Sequence, residues 1–155
     1  AEFGPRALGN RSILANPTNI EVKNKLNANV KKRNEFQPFC PTVLEEDREQ
    51  IFEDSFSNKH MTMAFRVRSN YQNLIPAAIH IDGTARPQFL EEEDNPMYFK
   101  LIKKFKELSG VGVVINTSFN LHGRTMIEKA EHAITDFKDC NLDYLFLEGY
   151  LIERI

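Results

Sequence analysis

Four polar clusters in this chain gather residue types that bind anions or move protons. The first runs Gly4-Pro5-Arg6-Ala7-Leu8-Gly9-Asn10-Arg11-Ser12. Its arginines, asparagine and serine are the donors that a phosphate or carboxylate takes, and its glycines permit turns and close approach of backbone to a ligand. A surface loop with solvated arginines has the same composition, so residue types alone leave the two open. The second cluster is Lys31-Lys32-Arg33-Asn34-Glu35-Phe36-Gln37-Pro38-Phe39. Three consecutive cations ordinarily form a solvated face. In an extended segment, however, Lys31 and Arg33 would enter a cleft while Lys32 faced solvent, because alternate side chains point opposite ways.

The third cluster, His80-Ile81-Asp82-Gly83-Thr84-Ala85-Arg86, offers a proton-active pair and a cation. Its His-Asp spacing suits acid–base work, but no nucleophile stands in register with it. A turn fixed by Asp82 accounts for the same residues. The fourth, Asn116-Thr117-Ser118-Phe119-Asn120, follows an apolar run. Small hydroxyl and amide residues at the C-terminal end of a buried strand are well placed to bind a polar ligand, and they serve equally as turn and cap residues. Ser118 has no His or Lys at a recognisable spacing to activate it, which makes it a binder and not a nucleophile. Neither a GxxxxGKS/T loop nor a GxGxxG occurs. A bound nucleotide must therefore be cradled by scattered Arg, Lys, Ser and Asn side chains.

The elements that must position these clusters read as mixed α and β. A short strand is expected over residues 11–15. A helix follows from Pro17, after Asn16, to about residue 29, with extended chain through 31–33. Pro38 and Pro41 exclude a helix around Phe39 and Cys40. A short helix over 47–52, an alternating strand over 61–67 and a buried strand over 77–81 come next, the last ending at the Asp82-Gly83 turn. Extended chain resumes over 86–90.

The clearest helix spans 95–109, with an Asn cap, Pro96 at its first position and Gly110 as its stop. Its apolar stripe is Met97, Tyr98, Leu101, Ile102, Phe105 and Leu108. Residues 111–117 have the β-branched composition of a central strand. A second helix over 129–139 packs Ala130, Ala133, Ile134 and Phe137, and the chain closes over 145–152 with one strand, or with two strands broken at Gly149. This pattern predicts one α/β or α+β domain.

Bulk properties narrow the classes. With 155 residues, 41% hydrophobic and 27% charged, the chain suits a single domain with a real core. A formal charge of -2 gives no global attraction to nucleic acid or anionic membrane. Charge is nevertheless uneven. Residues 1–33 hold seven basic side chains against two acidic ones, whereas 45–54 and 91–94 are acidic. That pattern points to a local anion site on a neutral body. No apolar run approaches the ~18–20 residues of a membrane span, and the mixed polar start predicts no secretory leader. Cys40 and Cys140 lack partners at metal-ligand spacing, and the four histidines are scattered. A reduced, cytoplasmic protein without a bound metal is expected.

Taken in order, the segments EFGPRALGNRSILA, the basic stretch before PFCPTVL, IPAAIHIDGTARPQ, VVINTSFNLHG and HAITDF resemble the carbamoyltransferase family of NodU nodulation proteins and antibiotic O-carbamoyltransferases. The resemblance covers essentially the whole chain. It implies the C-terminal domain of a longer two-domain enzyme, over residues 1–155, as the abrupt start on a motif also suggests. It further implies a YrdC-like fold: a twisted mixed sheet flanked by helices around a concave basic cavity. There, ATP (a co-substrate accompanied by Mg) and carbamoyl phosphate would form carbamoyl adenylate, releasing pyrophosphate and phosphate. An N-terminal transfer domain, holding an iron site, would pass the carbamoyl group to an acceptor that this chain does not specify.

Carried onto this sequence, phosphate binding falls to Arg6, Lys31 and Arg86, with Arg11 and Arg33 in support. Asn116, Ser118 and Asn120 would contact carbamoyl phosphate or the adenylate, while His80 and Asp82 would orient neighbours. One departure stands out. The family commonly reads FRPFAP, and Gln37 here replaces its arginine, so that either Arg33 or Lys32 compensates or the phosphate is bound more weakly. Two other functions compete: an RNA-binding module, disfavoured by charge and by the lack of interleaved aromatics, and a catalytically silent docking domain.

Overall fold

A computed structural model describes residues 6–154. In chain order the elements are β1 (Ser12–Ala15), α1 (Ile20–Lys25) continuing into a π-helical turn (Leu26–Lys31), and β2 (Cys40–Leu44). After a 3-10 turn over Glu45–Asp47 come α2 (Arg48–Ile51), β3 (Phe65–Arg66) and α3 (Ser69–Gln72). A 3-10 turn over Pro76–Ala78 precedes β4 (Thr84–Ala85), β5 (Gln88–Leu90) and α4 (Pro96–Ser109). The last elements are β6 (Val113–Ser118), α5 (Ala130–Asp139), β7 (Tyr144–Leu147) and β8 (Tyr150–Glu153).

The main sheet is mixed, in the order β1-β6-β2-β5, with β2 and β5 parallel and the other pairs antiparallel. Its register explains how one face changes character along its length. Directly paired residues share a face, and alternate residues along a strand share it too. Leu44, Leu90 and Val114 therefore line one end, where α4 covers them with Tyr98, Phe99 and Ile102. Two residues further along each strand the same face turns polar, through Thr42, Gln88 and Asn116, and then reaches Cys40 and Ser118. The opposite face is apolar: Ile13 and Ile115 pack against Leu26, Val30, Phe137 and Leu145, while Val43, Phe89 and Val113 pack against Ile51, Phe52 and Phe65. The expected single α/β domain, with a mixed sheet flanked by helices, is what the chain forms.

Several elements depart from expectation for identifiable reasons. The first helix starts at Ile20 because Asn19, not Asn16, caps it, its Oδ1 accepting the Glu21 N–H at 2.9 Å. Asn16 instead closes a local turn onto the Thr18 N–H. Residues 31–33 are not extended. Lys31 ends the π-helical turn and Lys32 sits in the left-handed region at φ 44°. The apolar run at 77–81 is no strand: Ala77 and Ala78 are buried in a 3-10 turn, and Ile81 is 96% exposed. The 61–67 strand shrinks to Phe65–Arg66. In α4, Met97, Leu101 and Leu108 face solvent while Phe99 joins the core. In α5, Ala133 and Phe137 are buried as expected, but Ile134 is exposed and Asp136 is not.

Candidate functional site

Where the polar half of that sheet face meets the loops before β1 and β2, it borders a cavity of about 400 Å³. That lies within the range of small-molecule sites, roughly 300–1,000 Å³. Arg6, Arg33 and Arg86 line it, and no carboxylate is among its described lining residues. Neutral donors and acceptors come from the end of β6 and the loop beyond it: Asn116, Thr117, Ser118 and Asn120. Phe39, Cys40, Met61 and Met126 supply apolar and thiol surface. Of the eight residues expected to form the site, Arg6, Arg33, Arg86, Asn116, Ser118 and Asn120 converge here, from positions spread across the chain.

Each arginine is held differently. Arg33 Nε donates to the Asn27 Oδ1 at 2.7 Å, its Nη2 donates to the Pro38 carbonyl at 3.3 Å, and its guanidinium stacks 4.4 Å from the Phe39 ring centroid. Asn27, wholly buried in the π-helical turn, also donates to the carbonyls of Glu35 and Gln37. A single amide thus shapes the loop that carries Arg33 to the cavity. Burial pushes the Arg33 pKa down, and the guanidinium remains protonated. Arg86 rests Nε and Nη2 on the Cys40 sulphur. Arg6, the first described residue, is beside Ala7, whose carbonyl accepts the Asn116 Nδ2–H at 2.9 Å.

Lys31 and Arg11 are placed differently from the rest. Neither is among the cavity's lining residues. Lys31 Nζ donates to the carbonyls of Ser118 and Asn120 at 2.7 and 3.0 Å, and to the Asn120 Oδ1 at 3.0 Å, with the Ser118 Oγ at 3.4 Å. It clasps the loop that presents Ser118 and Asn120. Its pKa is lowered from 10.5 to about 8, chiefly by burial, with Arg33 adding to the shift and Asp136 opposing it. Lys32 faces solvent and Arg33 lines the cavity, whereas Lys31 turns to the loop at 118–120 and does not enter the cavity; the left-handed backbone at Lys32, not strand alternation, separates the three. Arg11 Nη1 donates to the Ile127 carbonyl at 3.0 Å, tying β1 to the segment beyond the loop.

The third cluster divides. Asp82 Oδ1 accepts both the Thr84 N–H at 2.9 Å and the Thr84 hydroxyl at 2.7 Å, and His80 Nδ1 lies 3.0 Å from that hydroxyl. These groups build the turn, with Gly83 at φ 79°, and the turn sends Arg86 to the cavity. Gln37, the position of the family arginine, is not among the lining residues. Glycine at position 4 precedes the described residues. Gly9 makes its close approach to the ring of Tyr98.

Residues that the sequence clusters did not include complete the site. Thr42 and Gln88 lie beneath the cavity, fully buried, and bond to Asn116. Arg124 pins the 118–124 loop to α5, its Nη1 on the Asp136 carboxylate at 2.5 Å and its Nη2 on Asp139 at 2.6 Å. Alternation along β2 and β5 could have flagged Thr42 and Gln88 as polar residues on a core face. Nothing in the local sequence marked Arg124.

The mixed sheet of this α/β domain presents convergent arginines with amide and hydroxyl groups, the donor types that oxyanions take. The chain matches the family described as carbamoyltransferase C-terminus over residues 1–154, and it belongs to that family. It is 62% identical over 153 residues to an uncharacterized protein of Methanocaldococcus jannaschii, covering 99% of this chain and 25% of that protein. It is 42% identical over 157 residues to the nodulation protein NolNO of Sinorhizobium fredii, covering 99% of this chain and 23% of that protein. It is 38% identical over 154 residues to nodulation protein U of Rhizobium tropici, covering 99% and 26%. The chain thus spans about a quarter of the length of these curated relatives. Among the described residues no helix is long and apolar enough to cross a membrane, and no group of three or more His, Cys, Asp or Glu is arranged to hold a metal ion.

Proposed function

We propose that this domain binds ATP and carbamoyl phosphate in the three-arginine cavity and forms carbamoyl adenylate, which the remainder of a carbamoyltransferase delivers to an acceptor. The observation that carries this reading is the convergence of Arg6, Arg33 and Arg86 on one cavity with no carboxylate among its described lining residues. Both reactants are polyanions, and fixed cations that need no reorganisation are the chief means of stabilising charge that shifts between phosphoryl oxygens.

Atoms balance if one water cleaves carbamoyl phosphate to carbamate and phosphate. A carbamate oxygen then attacks the α-phosphorus of ATP, and pyrophosphate leaves. In this scheme the arginines hold phosphoryl oxygens. Ser118 and Asn120, held by Lys31, contact the carbamoyl group or the adenylate. Magnesium would arrive on the nucleotide's own phosphates. An iron centre and the choice of acceptor belong to the transfer domain that the family implies, and a cytoplasmic setting suits the two free cysteines.

The test is calorimetry of the folded domain with carbamoyl phosphate and with a non-hydrolysable ATP analogue. Saturable binding of both, weakened by Arg86→Gln, is expected. A folded sample that binds neither would falsify the proposal.

A further inference from the structure

We infer that Thr42 and Gln88, though outside the cavity, fix the orientation of the Asn116 amide so that its carbonyl oxygen is left to accept an N–H from the carbamoyl group. This rests on the reading of the cavity as a carbamoyl phosphate site and adds a determinant of selectivity to it. Gln88 is fully buried and its amide has one tenable orientation. Its Nε2 faces two backbone carbonyls, Lys59 O at 3.0 Å and Ala7 O at 3.4 Å, and neither can donate. Its Oε1 must therefore turn towards Thr42 Oγ1, which donates to it at 2.9 Å, and towards Asn116 Nδ2, also at 2.9 Å.

The constraint passes on. Asn116 Nδ2 meets the Ala7 carbonyl, the Thr42 hydroxyl and Gln88 Oε1, all within 3.1 Å. Turning the amide over would set its oxygen against a carbonyl and the Gln88 oxygen with no hydrogen between them. The outcome is an Asn116 Oδ1 that is buried, on a residue lining the cavity, with no hydrogen-bond partner. A buried acceptor left unpaired is costly, and a ligand that brings a donor relieves the cost.

Phosphate oxygens are acceptors and cannot serve. The carbamoyl amino group can, and in carbamoyl phosphate it is only a few atoms from the phosphoryl group. Asn116 has matching surroundings: its register partner is Cys40, on which Arg86 rests. ATP also carries donors, its ribose hydroxyls and its adenine amino group, and binding of the acyl phosphates without nucleotide keeps them out of the comparison.

Two ligand pairs separate the cases. Acetyl phosphate has a methyl group in place of the amino group, and inosine triphosphate has a keto oxygen in place of the adenine amine. The expected result is at least tenfold tighter binding of carbamoyl than of acetyl phosphate, with ATP and inosine triphosphate alike. Gln88→Met removes the oxygen that holds Asn116 Nδ2 and frees the Thr42 hydroxyl to donate to Asn116 Oδ1 instead, so it should pull the first ratio towards one with acetyl phosphate affinity little changed. Gln88→Leu should act in the same way and decides the matter if Gln88→Met does not fold. Equal binding of the two acyl phosphates, discrimination only between the nucleotides, or an unchanged ratio in a folded Gln88→Met or Gln88→Leu would overturn the inference while leaving the carbamoyl phosphate site standing. Failure of both acyl phosphates to bind would remove the site and the inference together.

Discussion

Arg86 rests two of its nitrogens, Nε and Nη2, on the sulphur of Cys40 at 3.3 and 3.2 Å, on the wall of the cavity that Arg6 and Arg33 also line. Cys40 opens β2 at the point where the sheet meets the cavity, and it pairs in register with Asn116 on β6. A thiol thus stands between the sheet's buried polar residues and a cation of the site. Sulphur is a weak acceptor, so an incoming oxyanion competes well for the same guanidinium.

This placement makes Cys40 a sensitive point. Methylthiolation with methyl methanethiosulfonate adds bulk where Arg86 rests, and sulfate affinity should fall by on the order of tenfold, about 1.4 kcal/mol. Saturating pyrophosphate should slow the modification. Cys40→Ser should bind sulfate nearly as well as the parent and be indifferent to the reagent, which also controls for reaction at buried Cys140. Mass spectrometry showing Cys40 fully modified with affinity intact would exclude this role for the wall.

Of the two cations near Gln37, Arg33 and not Lys32 is placed at the cavity. It lines the cavity, braced by Asn27 and the Phe39 ring, whereas Lys32 points to solvent. Arg33→Gln should weaken sulfate binding by on the order of tenfold. Adding Gln37→Arg in that background should recover part of the loss, since it returns one charge to the same short loop. Calorimetry on the two variants decides it: no loss in the first places the anion elsewhere.

How far the sequence foretold this arrangement depended on whether a signal was local. The central strand, the caps of α4 at Asn95 and Gly110 and the break at Gly149 were legible, because β-branched runs, cap residues and glycine act within a few positions. Six of the eight expected site residues also meet, since polar residues at element ends are exposed to a common face. The Thr42–Gln88–Asn116 network was not legible. Its members are 46 and 28 positions apart, and only strand pairing unites them. The 77–81 run misled because a short apolar stretch fits a buried 3-10 turn as well as a strand.

Gly9 supplies a test of how firmly the first cluster is seated. It sits at φ +92°, and a Cβ there would come within 2.7–3.0 Å of three atoms of the buried Tyr98 side chain. Gly110 shares the left-handed backbone at φ +78° but has nothing within 4 Å of such a Cβ. Gly110→Ala should therefore cost about 1 kcal/mol from backbone strain alone. Gly9→Ala should cost about 1–3 kcal/mol more, because the ring must also move. Urea unfolding midpoints of the two variants give the difference, and equal costs would mean that Tyr98 yields freely.

Lys31 ties binding to pH. Its ammonium faces four oxygens of Ser118 and Asn120, and its pKa in the fold is about 8 against the ordinary 10.5. Below about pH 8 both folded and unfolded chains hold the proton, and the cost of burying the charge is fully present. Between about 8 and 10.5 the folded state releases a proton that the unfolded chain keeps, so this group's contribution to stability rises with pH. Function should move the other way. A neutral amine has one donor fewer for the same oxygens and takes a positive charge from beside Arg33. Sulfate, whose own charge is constant over this range, should bind more weakly as pH passes 8, while the melting temperature gains from the same deprotonation. Lys31→Met removes the titrating group, so its binding profile should be weaker and flat. Parallel profiles for the parent and Lys31→Met would show that the loop does not depend on the charge that holds it.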